Sequence, residues 1–292
     1  HSLGYAETVE ELMGVEVPKR AEYLRVIWHE LSRIHSHLLW LGLAADAFGF
    51  ESMFMHCWRL RERVLDLFEK TTGGRVILSV VKVGGVVRDI DATQMAEINA
   101  VLDGLKDDYT KIMNTLLTDT SVKNRTVGVG HISTEDARSL SMVGPFARAS
   151  NLPYDVRSFG KGAYGDLADF QPIVATEGDC YARVKVRCLE VLQSFDIIKE
   201  LAAKIPAGDI EVAVKGAPAE EGARAANVLE QPRGECYYYA RGNGTKNLER
   251  MRIRTPTSQN LAGMTVALKG CDLADVNMII LTIDPCISCT ER

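Results

Sequence analysis

The chain has 292 residues, of which 46% are hydrophobic and 25% are charged, a composition ordinary for a globular protein with a substantial core. Its net charge of −5 provides no basic field for nucleic acid, which excludes that class of partner. No apolar run reaches the ~18 residues needed to cross a bilayer, so any contact with a membrane is expected to run through partner subunits.

Helices dominate the predicted elements. Apolar residues recur at three-and-four spacing in segments that are each predicted to be helical: 20–47, 51–70, 92–117, 178–204 and 261–283. Gly73-Gly74 ends the second of these helices. Ser133 is a good N-cap for a further short helix.

The predicted strands are fewer and shorter. A strand pair is expected within 77–87, turning at Gly84-Gly85, and single strands are expected at 210–214, 235–240 and 250–254. Residues 144–171 show no sustained period, and a long ordered segment of this kind is typical of a functional loop or an interface. We therefore expect one domain over 1–292, mainly α with a small β excursion.

The chemistry of the sequence concentrates at the end of the chain. There are seven cysteines, at positions 57, 180, 188, 236, 271, 286 and 289, and only Cys286 and Cys289 form a pair at metal-ligand spacing. Thiolates select zinc, copper(I), nickel or iron–sulfur over magnesium or calcium. The spacing leaves open a redox pair, half of a zinc site, and two packed core thiols. Two cysteines cannot complete a tetrahedral sulfur site alone.

The terminal motif D-P-C-I-S-C, followed by a basic residue, resembles the C-terminus of nickel–iron hydrogenase large subunits. In that family the chain is cut after the basic residue once nickel is inserted, and the end at Arg292 resembles such a matured terminus. Further motifs resemble the branch shared by membrane-bound, energy-converting hydrogenases and the 49 kDa core subunit of respiratory complex I: R-I-H-S-H-L-L-W-L-G (33–42), V-G-G-V (83–86), G-D-C-Y-A-R (178–183), E-Q-P-R-G-E (230–235) and L-A-D-V (273–276). The complex I subunit has lost the nickel-binding cysteines, so their presence here favours a hydrogenase.

The resemblance implies a long-helix bundle of the hydrogenase large-subunit type and a nickel–iron centre, with cyanide and carbon monoxide on the iron, held by two C-x-x-C pairs. Cys286 would be the terminal nickel thiolate and the proton acceptor, and Cys289 the bridge between the metals. The first cysteine pair would precede His1, so the chain is expected to be N-terminally incomplete. Arg292 stands where standard enzymes have a histidine that ligates a further metal, so no third metal site is expected.

Other site residues follow from the same resemblance. Pro232-Arg233 would lie over the face of the active site, with Asp284 as the carboxylate partner of the guanidinium. Thr257 would donate a hydrogen bond to a cyanide. His1 would support the bridging sulfur from outside the ligand set.

Two histidines on the helix 20–47 invite a metal interpretation that their spacing contradicts. His35 and His37 lie two residues apart, so they are predicted to face different sides of the helix. Ser36 stands between them where many hydrogenases carry an aspartate.

Three functions are compatible with this sequence. The first is the catalytic subunit of a membrane-bound nickel–iron hydrogenase, facing the cytoplasm, with an iron–sulfur small subunit, further soluble and membrane subunits, H2 and protons as substrates, and ferredoxin as electron donor. The second is a non-catalytic, complex I-like scaffold that lines a quinone site. The third is a structural zinc-binding module. The segment 144–171 and the long helices are expected to contact the partner subunits.

Overall fold

The computed structural model describes residues 1–214 and 219–291, so Arg292 lies outside the described residues. The helices are α1 (Ser2–Met13), α2 (Lys19–Ala47), α3 (Glu51–Thr72), α4 (Ala92–Thr118), α5 (Thr120–Thr126), α6 (Thr134–Ser139), α7 (Gly144–Arg148), α8 (Cys180–Lys204), α9 (Pro256–Ala267), α10 (Val276–Ile283) and α11 (Ile287–Thr290). The strands are β1 (Val81–Lys82), β2 (Gly85–Val86), β3 (Arg224–Gln231), β4 (Gly234–Gly242) and β5 (Leu248–Arg254). The predicted fold class, mainly α with a small β part, is confirmed.

Four long helices, α2, α3, α4 and α8, enclose the main core. Helix α2 lies between α3 and α8 and is apolar on nearly every side, so Trp28, Leu31 and Trp40 are all buried along it. Helix α4 closes the bundle against α3 and α8, where the Tyr109 hydroxyl donates to the Cys188 carbonyl. The predicted helices at 20–47, 51–70, 92–117 and 178–204 are confirmed to within a few residues.

Local sequence explains where these helices begin and end. Asp91 forms a capping box with Gln94 at the start of α4, and the Asp179 side chain accepts from the Ala182 N–H at the start of α8. Ser133 caps α6 as predicted. Gly73, with φ of 83°, ends α3 in the left-handed conformation that glycine adopts without strain.

The strands β3, β4 and β5 form an antiparallel sheet in that order. Strands β3 and β4 are joined by the two-residue turn Pro232-Arg233, since Gln231 pairs with Gly234. One face of the sheet packs on α1, where Leu3 contacts the cluster of Leu229, Cys236 and Tyr238.

Several predicted elements are wrong in detail. The helix expected over 261–283 is two helices, α9 and α10, because the chain turns at Gly270 with φ of 75°. The pair expected within 77–87 is reduced to the two-residue strands β1 and β2. The strand expected at 210–214 is reduced to a single bridge from Glu211 to Gly85. The hairpin of β1 and β2 has only two residues in each strand, which is too short an edge for a longer strand to pair with. Helices α1 and α5 and strand β3 were not predicted.

Part of the irregular segment 144–171 is folded inward. Residues 144–150 are buried, as are Asp155 and Arg157, so these parts are not available to a partner subunit as the sequence had suggested. They contribute instead to a network of buried ion pairs. Arg148 lies 2.7 Å from both Glu190 of α8 and Glu230 of β3.

Paired charges make this burial tolerable. Glu190 also accepts from His37 Nε2 at 2.9 Å, so one network joins α2, α7, α8 and β3. Removing one partner of such a pair leaves an uncompensated buried charge, which is more destabilising than losing a surface pair. His35, by contrast, meets the Phe68 ring edge-on, and the prediction that the two histidines face different sides is confirmed.

No helix in the part of the chain that the structure describes combines the length and the apolar composition that a membrane span requires.

Buried His37 is expected to make the fold sensitive to acid. Burial lowers its pKa from 6.5 to about 4, and the positive charges of Arg187 and Arg33 act in the same direction. The hydrogen bond to Glu190 opposes this shift. The pKa of His37 is lower in the folded protein than in the unfolded chain. The stability that comes from keeping His37 neutral is therefore complete above pH 6.5 and declines as the pH falls toward 4. In guanidinium unfolding between pH 6.5 and 4.5, His37→Gln should reduce the dependence of unfolding free energy on pH by about 1.4 kcal/mol per pH unit. The matched variant His56→Gln, on the exposed face of α3, should keep the wild-type dependence; an unchanged slope in His37→Gln would contradict the assignment.

Candidate metal centre

The segment before the two cysteines is fixed through its backbone. Helix α10 ends at Ile283, and the last carbonyls of a helix have no partner within it. Here Trp40 Nε1 donates to the Leu281 carbonyl at 2.7 Å. Arg187 Nη1 and Nη2 donate to the next two carbonyls, of residues 282 and 283, at 2.6 and 3.1 Å.

Arg233 continues this series from the other side. Its Nε donates to the Asp284 carbonyl at 2.9 Å and its Nη2 to Asp284 Oδ1 at 2.9 Å, while Nη1 lies 3.3 Å from the Ser36 hydroxyl. Two parallel contacts from one guanidinium fix direction as well as distance. The structure therefore brings together Arg233 and Asp284, which the sequence had placed at one site.

The turn that carries Pro232 and Arg233 has almost no freedom. Gly144, at the start of α7, has φ of 70°, and a Cβ built on it would lie 2.3 Å from the Arg233 carbonyl oxygen and 2.4 Å from the Gly234 Cα. Only a residue without a side chain permits this approach of two backbones. The position of the guanidinium is thus set by packing at the base of the hairpin turn.

Asp284 is held in an unusual state. It has φ of 62°, a conformation that costs energy for any residue other than glycine. Burial raises the pKa of its carboxyl group, with Arg233 and Arg187 opposing that rise. Its Oδ2 is buried without a hydrogen-bond partner among the described residues. An unpaired acceptor beside two thiols is typical of a site whose remaining ligand is not protein.

Cys286 and Cys289 differ in their protonation. Burial alone would raise the pKa of Cys286, but hydrogen bonds from Ser288 and Cys289, with the charge of Arg233, lower it overall. Burial and the neighbouring Cys286 raise the pKa of Cys289 to about 12. Cys286 is thus the more acidic of the two thiols.

The other predicted residues surround the cysteines. The Thr257 hydroxyl oxygen accepts from the Cys286 N–H at 3.1 Å, which leaves its O–H free to donate elsewhere. His1 Nε2 lies 3.6 Å from Cys289 Sγ, and its Nδ1 lies 2.5 Å from the Tyr238 hydroxyl. Every residue predicted for the site therefore lies on or next to the terminal turn.

The donor set fits half of a sulfur-ligated metal centre. Within residues 1–214 and 219–291, no group of three or more His, Cys, Asp and Glu side chains is arranged to hold a metal ion. Two thiols of unequal acidity, a guanidinium and a hydroxyl nevertheless match a soft metal with polar ligands on its other side. A separate cavity of about 530 Å³, lined by Glu10, His29 and Glu230 among others, contains none of the predicted site residues.

Sequence reasoning missed the residues that hold the site in place. Arg187 and Trp40, which cap the carbonyls of α10, look like ordinary members of apolar helices in the sequence. Thr255, which donates to the Cys289 carbonyl at 2.7 Å, looks like the cap of a helix. A buried arginine on an otherwise apolar helix face is the one signal that could have revealed them, since such a charge requires a partner.

Comparison with known proteins covers the whole chain. The family described as respiratory-chain NADH dehydrogenase, 49 Kd subunit, matches residues 47–227 and 210–292. The carbon monoxide-induced hydrogenase of Rhodospirillum rubrum is 36% identical over 294 residues, covering 100% of this chain and 81% of the relative. The membrane-bound hydrogenase subunit alpha of Pyrococcus furiosus is 36% identical, covering 100% and 72%. One subunit of the F(420)H(2) dehydrogenase of Methanosarcina mazei is also 36% identical, covering 99% and 79%.

The contact between Gly144 and the Arg233 turn can be tested by adding one methyl group. Gly144→Ala should lower the free energy of unfolding by about 2 kcal/mol more than Gly128→Ala. Only the first substitution places a methyl group against the backbone of another segment, which must then move away. Gly128 is the matched control, since it has φ of 74° and nothing within 4 Å of its Cβ position. Equal losses in chemical denaturation would show that the close approach is unimportant.

Proposed function

We propose a function for this chain from the family to which it belongs, that of the complex I 49 kDa subunit and the large subunits of related membrane-bound hydrogenases. The chain is the catalytic large subunit of a membrane-bound nickel–iron hydrogenase. It oxidises H2 or reduces protons reversibly, and it exchanges electrons with an iron–sulfur small subunit. The observation that carries this proposal is the Cys286–Cys289 pair, which begins two residues after Asp284, the residue that Arg233 binds through both its carbonyl and its carboxylate.

The residues of this chain would take distinct parts in that reaction. A nickel–iron centre with cyanide and carbon monoxide on its iron, when bound, supplies the heterolytic cleavage of H2. Cys286 and Cys289 would hold it, as two of its four thiolate ligands. Cys286 would be the thiolate that accepts the proton, and Cys289 would be the bridging thiolate.

The polar residues would position the centre from outside the ligand set. Arg233 keeps a permanent charge and N–H donors beside the cysteines, where they can meet a cyanide nitrogen. Pro232 fixes the turn that presents it, and Asp284 orients the guanidinium. Thr257 would donate its free O–H to the second cyanide, and His1 would support the bridging sulfur.

The assembly follows from the same proposal. The 292 residues form one domain that assembles with an iron–sulfur small subunit and with other soluble and membrane subunits. It lies on the cytoplasmic side, peripheral to the cell membrane through those partners. Ferredoxin is the proposed electron donor, and protons and H2 are the substrates.

A second function is favoured by one observation. The matching subunit of the Methanosarcina mazei F(420)H(2) dehydrogenase is as similar to this chain as the two hydrogenases are. A complex I-like subunit that lines a quinone site without nickel is therefore the alternative. The two functions differ in one measurable property, the presence of nickel on the terminal cysteines.

Replacement of the proposed proton acceptor tests the first function. In the complete complex, purified with its full-length subunit, Cys286→Ser should lose both bound nickel and H2 uptake, because a serine hydroxyl is a poor ligand for a soft metal. Cys271→Ser, which changes a cysteine outside the site, is the control and should keep both. Absence of nickel from the wild-type complex would favour the alternative, whereas nickel and activity retained in Cys286→Ser would overturn the role proposed for Cys286.

Arg233 can be tested with its charge preserved. Arg233→Lys keeps the charge but cannot make two parallel contacts to Asp284 while also reaching Ser36. We expect H2 uptake to fall about 100-fold, the magnitude of losing one preorganised donor, with nickel content by mass spectrometry unchanged. Full activity in this variant would show that a charge alone suffices at this position.

A further inference from the structure

The outer face of the three-stranded sheet carries an unusual concentration of arginine. Alternate residues of β4 and β5 point away from α1. The register of the sheet places these outward residues opposite one another on neighbouring strands. They form three rows across the strands: Arg224–Arg241–Arg250, Ala226–Tyr239–Arg252 and Val228–Tyr237–Arg254. We call these nine residues the arginine face.

The first row places like charges directly opposite one another. Arg241 of the central strand pairs with Arg224 on one side and with Arg250 on the other. Like charges at directly opposed positions of a sheet are destabilising. Charged residues often protect an edge strand from pairing with other chains, but that role does not require an arginine on the central strand between two others.

Few carboxylates compensate this charge. Glu249 Oε2 lies 2.9 Å from Arg241 Nε, and Glu235 pairs with Arg254, whose guanidinium also lies over the Tyr237 ring. In the part of the chain that the structure describes, no carboxylate lies within ion-pair distance of Arg224, Arg250 or Arg252. The face is thus positive in a chain whose net charge is −5.

The composition of the face indicates the kind of partner. Arginine and tyrosine are enriched at the centres of protein interfaces and dominate their binding energy, whereas lysine is depleted there. The guanidinium fork matches a carboxylate with two parallel hydrogen bonds. From this geometry we propose that the arginine face docks a carboxylate-rich surface of another protein subunit, with Arg250 and Arg252 pairing with its acidic residues.

This inference rests on the proposed place of the chain in a multisubunit complex, but it does not depend on nickel. An anionic lipid surface is the competing occupant of a basic patch. Membrane-binding patches are typically clusters of several Lys and Arg beside apolar anchors, while this face is a pleated sheet surface with Tyr237 and Tyr239 on its central strand.

Cross-linking in the intact complex tests the proposal without disturbing the arginines. A photoreactive benzoyl-phenylalanine placed at Tyr239 should cross-link, after membrane solubilisation and purification of the whole complex, to a peptide of another subunit that contains several carboxylates. Cross-links confined to lipid, or none to any protein, would overturn the proposal. Nickel content measured in the same preparation separates this outcome from failure of the hydrogenase assignment.

A second experiment removes positive charge from the arginine face. In complexes purified through a tag on this chain, Arg250→Gln/Arg252→Gln should release the cross-linked subunit at a lower NaCl concentration than the wild type does, because screened charge pairs contribute less as salt rises. Lys123→Gln/Arg138→Gln removes two exposed cations of α5 and α6 and is the matched control, with the wild-type release point expected. A release point that is the same in all three complexes would contradict the pairing of Arg250 and Arg252 with acidic residues.

Discussion

The position of the candidate site depends on the hydrogen bonds that side chains donate to the last carbonyls of α10. The carbonyls of residues 281–283 at the end of α10, and that of Asp284 directly after it, all accept hydrogen bonds from side chains, those of Trp40, Arg187 and Arg233. These donors come from two bundle helices and from the β3–β4 turn, so the chain cannot leave α10 in any other direction. Two of the three carry positive charge, which the negative end of a helix favours. The cysteines therefore stand at a fixed place although they lie close to the end of the sequence.

The buried ion pairs extend this constraint into the core. Arg148 holds Glu190 and Glu230, and Glu190 holds His37 on the same helix as Trp40. Such pairs contribute little net stability compared with apolar packing of equal volume, but breaking one is costly. They therefore specify how α2, α8 and β3 meet. That arrangement in turn decides where Arg187 and the Arg233 turn are placed.

The two functions considered for this chain share this frame and differ only at its end. The proposed hydrogenase function would use Cys286 and Cys289 as metal ligands close to the Arg233–Asp284 contact. A quinone-site subunit could keep the same helices without using the sulfur. The positive φ of Asp284 and its buried Oδ2 are enforced by the surrounding structure in either function.

The sequence by itself determined the long helices, since their apolar periodicity is local, and it determined the terminal cysteine pair, since a motif of four residues needs no partner to be visible. It also indicated Arg233 and Asp284, through resemblance alone. Only the tertiary structure decided that these two meet, that Arg187 caps α10, and that part of segment 144–171 turns inward. Strand β3 and the arginine face were likewise invisible, because register across strands joins residues that are distant in sequence. Contacts of that kind follow from packing, which no local pattern encodes.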